Sequence, residues 1–349
     1  MILRDAKNVA RQWVDQEVSK APGFRGAFFH GSANWLSDQA DLPSTSDLDV
    51  MVVFDEDAAS IRTGKLVHGD VLLEISRFSS EQLRSPEVVL SDYRLAGSFH
   101  VASVIADPSG QLSDLQAAVA KDYAKRSWVR ARCEHARDNV LKHLGSSNES
   151  APFHDQVTAW LFGTGVTTHV LLVAGLKNPT VRSRYQAARE LLADYGRLDF
   201  YETFLGLLGC AQISRTHVEN HFDAMTDAFD AAKIAIKTPF FFASDITDIA
   251  RPVAIDGTRE LIERGFHREA VFWLVATYSR CQQVFYQDAS NEIQQRFDRG
   301  YRDLLADLGI DSPEDLAPRS QQVREFLLQL MEVSEAIMDA NPEIEYGSG

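Results

Sequence analysis

The sequence predicts an α+β protein in which a small head with a mixed β-sheet is followed by a larger all-helical domain. Short apolar runs bounded by turn residues, the pattern of buried strands, occur in the first third of the chain. Beyond Leu112 the apolar residues recur with helical spacing. Because 349 residues exceed one average domain, we expect two domains, a head over 1–115 and a helical domain over 116–349.

The head is expected to alternate strands with short connections. Its predicted elements, in chain order, are a helix ending before Pro22-Gly23, strands over 26–30 and 48–54, a hairpin over 64–76 that turns at His68-Gly69-Asp70, and a strand over 101–106.

The second domain shows helical periodicity almost throughout. The predicted helices cover 112–144, 153–176, 179–195, 200–237, 269–285, 292–308 and 321–338. The most apolar stretch, 160–176, contains three threonines and a histidine, so a buried core helix is expected there rather than a membrane span.

Composition restricts the cellular compartment and the classes of partner that we expect. The formal net charge is −15, and no long cluster of Lys or Arg is visible, which argues against a nucleic-acid substrate. Three cysteines without C-x-x-C spacing indicate a reducing cytoplasm. Charges throughout the first 20 residues argue against a secretory signal.

Three carboxylates are predicted to meet on two neighbouring strands. Asp47 and Asp49 are two residues apart at the start of an apolar strand, and strand side chains alternate faces, so both point the same way. Glu74 adds a third carboxylate if its strand pairs beside the first. Because it lies in an apolar run, a nearby cation is the expected reason that it stays charged. Mg²⁺ takes carboxylate oxygens and leaves room for substrate phosphates, so these residues are predicted metal ligands.

A phosphate-binding turn is predicted just upstream. The strand over 26–30 stops at Gly31-Ser32, and residues 32–36 are suited to open a short helix. Backbone N–H groups at such a helix start, with a small hydroxyl beside them, form an anion site. Gly31 and Ser32 are therefore predicted to bind nucleotide phosphates.

Taken in order, these residues resemble the signature of the DNA polymerase β-like nucleotidyltransferase superfamily. That signature is an apolar residue, Gly, Gly or Ser, a spacer, acid-apolar-acid, and a later acid on a neighbouring strand. The resemblance covers about residues 20–115. Fourteen residues separate Ser32 from Asp47, slightly more than the family commonly uses, and the polar insert 37–46 is interpreted as a lengthened surface loop.

The resemblance implies transfer of a nucleoside monophosphate, with AMP as the first expectation, from ATP or another NTP to a hydroxyl. It implies two Mg²⁺ ions, one on the triphosphate and one on the attacking hydroxyl, with Asp47 and Asp49 as ligands. Glu74 either completes the second metal site or removes the proton from the hydroxyl, and we favour the base. Pyrophosphate would leave on the Gly31-Ser32 side.

The layout of head and helical body also resembles antibiotic nucleotidyltransferases, such as those acting on kanamycin and on streptomycin or spectinomycin. This implies a helical substrate-binding domain and a small, cationic acceptor such as an aminoglycoside, which suits an acidic protein. Two other functions stay open: a nucleotidyltransferase that modifies a protein or belongs to a toxin–antitoxin pair, and a non-catalytic nucleotide-binding scaffold.

Two further sets of residues in the helical domain have ordinary explanations. His217 and His221 are four residues apart but lack the Glu that a helical zinc-protease motif places directly after its first His. A solvated helix face is predicted for them. The second set follows near-helical spacing and is predicted to pack in the core, unless Arg280 or Tyr286 reaches a nucleotide: Trp273, Tyr278, Arg280 and Tyr286.

Overall fold

A five-stranded mixed sheet organises the N-terminal region of the computed structural model, which describes residues 1–56, 63–146 and 148–346. The strands are β1 (Phe24–Phe29), β2 (Leu48–Phe54), β3 (Gly64–His68), β4 (Val71–Ser79) and β5 (Val104–Ala106). Their order in the sheet is β3-β4-β2-β1-β5. Strands β2 and β4 are parallel, and the other neighbouring pairs are antiparallel. The predicted mixed sheet is confirmed.

Helices make up most of the remainder. They are α1 (Leu3–Trp13), α2 (Pro86–Ser91), α3 (Ala96–Phe99), α4 (Gln111–Asp122), α5 (Arg126–Gly145), α6 (Phe153–Ala174), α7 (Arg184–Asp194), α8 (Leu198–Leu208), α9 (Arg215–Ala235), α10 (Gly257–Glu263), α11 (His267–Asp288), α12 (Asn291–Asp307) and α13 (Leu316–Ala340). Beyond α4 the described residues contain no strand, so the predicted helical region after the sheet is confirmed.

The sheet buries apolar side chains on both faces. Val50 of β2 packs in one cluster with Leu3 of α1. Met51, the next residue, packs in a second cluster with Phe99 of α3 and with residues of α2 and α4. Because side chains alternate along a strand, Asp49 belongs to the face of Met51, where α2 to α4 pack.

The hairpin of β3 and β4 has the predicted turn. Gly69 and Asp70 form a two-residue connection, and both have positive φ, +51° and +63°. This is the backbone twist that antiparallel strands favour in a tight hairpin. The turn sets the register of the two strands, from His68 opposite Val71 to Gly64 opposite Ile75.

Several predicted elements differ from those observed. The helix expected over 112–144 is two helices, α4 and α5, and the helix expected over 179–195 begins only at Arg184. The strand expected over 101–106 is shorter, covering Val104–Ala106. The helix expected over 200–237 is two helices, α8 and α9. Gly209 ends α8 in a left-handed conformation at φ +87°, and the Ser214 hydroxyl accepts a hydrogen bond from the His217 N–H at the start of α9. A helical period alone did not reveal these caps.

The described residues divide into two compact units. The first comprises the described parts of 1–135, 173–180 and 338–346, and it contains the whole sheet with α1 to α4. The second comprises the described parts of 136–172 and 181–337, and it contains α7 to α12.

Helix α6 is the one described helix long and apolar enough to cross a membrane by length and composition. Its most apolar window has a mean hydropathy of 1.5, but 83% of that window is buried within the protein. This burial is typical of a core helix, as the sequence predicts.

Candidate active site

Four charged side chains meet on neighbouring strands of the sheet. Asp49 of β2 is the register partner of Glu74 of β4, and Glu74 is the partner of Lys65 of β3. Asp47 directly precedes β2, two residues before Asp49, and so projects from the same side. Since register partners in adjacent strands lie on one face of a sheet, the fold gathers all four side chains.

The three carboxylates are close enough to share a cation. The ligand oxygens of Asp47, Asp49 and Glu74 all lie within 4.8 Å of one another. In the part of the chain that the structure describes, no other group of three or more His, Cys, Asp or Glu side chains has this spacing. The three acidic residues singled out from the sequence are thus brought together.

Lys65 lies among these carboxylates. Its Nζ is 2.8 Å from Oδ2 of Asp47 and 2.6 Å from Oε2 of Glu74. Its side chain is 5% exposed, against 19% for Asp47 and 32% for Glu74. The sequence analysis expected a cation beside Glu74, and the Lys65 ammonium is such a cation.

The sequence analysis missed Lys65, although the hairpin contains the signal. A two-residue turn at Gly69-Asp70 pairs His68 with Val71 and, three residues further from the turn, Lys65 with Glu74. Directly opposed Lys and Glu side chains attract each other across a strand pair. Counting register back from the predicted turn would have placed Lys65 in the site.

The pKa values of the two aspartates move in opposite directions. Burial raises the pKa of Asp49, and repulsion from Asp47 and then Glu74 raises it further, well above its usual range. Burial also acts to raise the pKa of Asp47, but the charge of Lys65 and its hydrogen bond outweigh this and leave that pKa lowered. Of the two aspartates, Asp49 is therefore the harder to ionise without a further cation.

The site chemistry fits a divalent metal ion. Three carboxylates offer the hard oxygen ligands that Mg²⁺ prefers. The raised pKa of Asp49 has the direction expected of a buried carboxylate that is also crowded by like charges, and a metal ion would offset both effects. Asp47, Asp49 and Glu74 are the residues suited to hold the ion.

The turn after β1 lies directly against Asp49. Gly31 has φ +61°, and a Cβ added there would collide with Oδ2 of Asp49. The backbone N–H of His30 donates a 3.1 Å hydrogen bond to the Asp49 carbonyl oxygen. Gly31 and Ser32 begin the short 3₁₀ turn Gly31–Asn34, where the sequence predicts a helix start over 32–36. Their binding of phosphate stays a prediction.

The side chain of His30, the residue before this turn, is held by a hydrogen bond. Its Nδ1 lies 2.5 Å from the hydroxyl oxygen of Ser98, which is 1% exposed. Burial lowers the pKa of His30 to about 4, so the ring is neutral at pH 7. The residue before Gly31 is thus held by a neutral hydrogen bond.

Most of the aromatic and arginine set in the helical unit packs in the core. The Arg280 guanidinium lies 4.2 Å from the ring centre of Phe242 and 4.9 Å from that of Trp273, and it pairs with Asp245 at 3.1 Å. Tyr286 is 61% exposed. The predicted core packing therefore holds for Trp273, Tyr278 and Arg280, and it is wrong for Tyr286.

The histidine pair of α9 shares one acceptor. His217 Nδ1 and His221 Nε2 lie 3.0 Å and 2.8 Å from Oδ2 of Asp307. The side chain of His217 is 59% exposed, as predicted for a solvated face. That prediction is wrong for His221, whose side chain is 11% exposed because α9 packs against α12.

Comparison with known proteins adds a distant structural likeness. No protein-family description and no curated protein sequence matches this chain. Among solved structures, it is similar to a nucleotidyltransferase-like protein from Exiguobacterium sibiricum 255-15, at 10% sequence identity. The match covers 74% of this chain and 91% of that chain, with a TM-score of 0.28. A TM-score this low does not establish a common fold, so the likeness carries no weight in assigning a function.

Proposed function

We propose that this chain is a Mg²⁺-dependent nucleotidyltransferase. It moves a nucleoside monophosphate, AMP as the first candidate, from ATP or another NTP to a hydroxyl of a small cationic molecule such as an aminoglycoside. The observation that carries the proposal is the contact between Gly31 and Asp49. A turn with no side chain at its first position faces a carboxylate that lies within 4.8 Å of two others.

The residues of the site form two groups, one that binds the phosphates and one that binds the metal ion. Gly31 leaves its backbone open to close approach by a triphosphate, and the hydroxyl of Ser32 is available to donate a hydrogen bond to it. Asp47, Asp49 and Glu74 hold Mg²⁺, which when bound neutralises charge on the triphosphate and polarises the phosphorus under attack. His30 and Ser98 keep the turn in position against Asp49.

Glu74 is the residue assigned to the proton of the acceptor. Its side chain is 32% exposed, more than the 19% of Asp47, so an acceptor hydroxyl has access to it. Glu74 takes the hydroxyl proton while the oxygen forms a bond to the α-phosphorus. The bond from that phosphorus to the bridging oxygen breaks, and pyrophosphate leaves on the side of Gly31-Ser32.

The helical region is assigned to the acceptor, with residues 116–349 as the substrate-binding domain. A net charge of −15 raises the local concentration of cations around the protein and favours a positively charged acceptor over a nucleic acid. The predicted reducing environment agrees with a cytoplasmic enzyme.

The proposal is tested by nucleotide transfer in vitro. The full-length protein is incubated with MgCl₂ and each α-³²P-labelled NTP, across aminoglycosides, lincosamides and candidate proteins, and products are identified by mass. We expect one small molecule to gain a single nucleotidyl group as pyrophosphate is released. Label on a protein would favour the protein-modifying alternative, and NTP binding without transfer to any acceptor would favour the scaffold.

A further inference from the structure

Lys65 occupies the place between Asp47 and Glu74 that a bridging metal ion would take. Its Nζ lies 2.8 Å and 2.6 Å from one oxygen of each carboxylate. A Mg²⁺ ion bridging the same two oxygens would sit about 2.1 Å from each. An ammonium group and a metal ion cannot share that volume, so one excludes the other.

The fold holds Lys65 in this place. Lys65 lies within β3, and its backbone is opposite Glu74. Its side chain is 5% exposed, so the aliphatic stem is packed and the amino group does not extend into solvent. Exposed ion pairs contribute little because both side chains are mobile, but this lysine is largely buried, with its amino group against two carboxylates.

The charges of the site balance with one divalent ion. With a metal ion bound and all three carboxylates ionised, the cluster carries three negative charges, and the Lys65 ammonium neutralises one of them. The remaining two match a single divalent ion. The Lys65 ammonium lies against Asp47 and Glu74, so the Asp49 oxygens are the ones offered to the ion. The ion is therefore expected on the Asp49 side of the cluster.

We propose that the Lys65 ammonium takes the place of the hydroxyl-side metal ion, so that the site binds one divalent ion beside Asp49 instead of the two that the family resemblance implies. This inference rests on the proposed function. Lys65 is then a positioning residue: it fixes the Glu74 carboxylate and supplies a permanent positive charge where other members of such a family would use a second ion.

The experiment counts metal ions by magnetic coupling. The full-length protein is mixed with Mn²⁺ and α,β-methylene-ATP, and electron paramagnetic resonance spectra are recorded. Two Mn²⁺ ions about 4 Å apart, the spacing of two-metal sites, couple and lose the six-line spectrum of an isolated ion. We expect wild type to show isolated bound Mn²⁺, and Lys65→Met to show a coupled pair.

Control variants separate the charge of Lys65 from its bulk. Lys65→Gln should also bind a coupled pair, and Lys65→Arg should bind one isolated ion. Lys7→Met is the control for a lysine outside the cluster. Lys7 is also largely buried, and its Nζ pairs with Asp38 at 2.8 Å. This variant should keep the wild-type spectrum. Circular dichroism checks that each variant is folded. Removing the Lys65 charge should also tighten binding of the first ion by roughly tenfold or more.

Two results would overturn the inference. A coupled pair in wild type would show that Lys65 yields its place to a second ion, and would leave nucleotidyl transfer itself intact. An isolated ion in both Lys65→Met and Lys65→Gln would show that the lysine does not set the number of ions. If no variant binds Mn²⁺, the metal-dependent function fails as well.

Discussion

A side chain at residue 31 and the Asp49 carboxylate would compete for the same space. Gly31 adopts φ +61°, and a Cβ placed on it would collide with Oδ2 of Asp49. A glycine is therefore required at residue 31 for two reasons: the backbone has positive φ, and any Cβ would displace the Asp49 carboxylate.

Gly31→Val is expected to abolish nucleotide binding. A β-branched residue at positive φ is strained, and its Cβ would push Asp49 away from Asp47 and Glu74. Titration calorimetry with MgATP measures the loss.

Gly110→Val provides the matched control. Gly110 also has positive φ, +80°, but a Cβ there would meet no atom within 4 Å. It should lose about 1–2 kcal/mol of stability from the backbone and keep its nucleotide affinity. Normal binding by Gly31→Val would place the phosphate site elsewhere.

Ser32→Ala should weaken MgATP binding by about 1 kcal/mol, roughly fivefold, the contribution of one hydrogen bond. Ser37→Ala, in the exposed loop that follows, should bind like wild type. An unchanged affinity for Ser32→Ala would remove the hydroxyl from the phosphate site. A loss far larger than tenfold would indicate that Ser32 has a structural role instead.

Glu74→Gln separates the two roles open to Glu74. If Glu74 is the base, the substitution lowers turnover by about 10² to 10⁴ and leaves binding of Mg²⁺ and nucleotide near normal. Calorimetry and steady-state kinetics on the same preparation measure both. Weakened metal binding, with turnover restored by extra Mg²⁺, would instead make Glu74 chiefly a metal ligand.

The pKa of Asp49 predicts the pH dependence of stability without metal. A carboxyl with a raised pKa binds its proton more tightly in the folded protein than in the unfolded chain. The free energy of unfolding therefore falls as pH rises from the ordinary pKa of 3.8 through the raised value. In EDTA, Asp49→Asn should be more stable than wild type at pH 7, and the gain should shrink towards pH 4.

Asp47→Asn should have the opposite effect. The pKa of Asp47 is lowered by Lys65 despite its burial, so ionised Asp47 stabilises the fold above pH 4 and this stability is lost on acidification. Asp47→Asn should therefore be less stable than wild type at pH 7. Urea unfolding in EDTA measures both variants, and a loss of stability in Asp49→Asn at pH 7 would contradict the charge crowding.

The sequence was enough to single out the acidic residues because the local placement of each follows from strand and turn geometry. Strand alternation puts Asp47 and Asp49 on one side, and the Gly69-Asp70 turn identifies the hairpin that carries Glu74. Glu74 lies beside these aspartates only because β2 pairs with β4. That pairing is a long-range contact, which the sequence could suggest but not specify.

Lys65 was overlooked because a single lysine in a short strand has no distinguishing pattern. Its place depends on register, which must be counted from the turn. The break between α8 and α9 was overlooked for a similar reason. Gly209 and Ser214 are helix-ending and helix-starting residues, but the apolar period continues across them.

The most direct test of the account is nucleotidyl transfer by wild type and Asp49→Asn, measured with MgCl₂, α-³²P-labelled ATP and the acceptor panel. Asp114→Asn, an exposed aspartate of α4, is the matched control. We predict that wild type and Asp114→Asn release pyrophosphate and attach a nucleotidyl group to an acceptor, and that folded Asp49→Asn does neither. Full activity in folded Asp49→Asn would contradict the assignment of this carboxylate cluster as the active site.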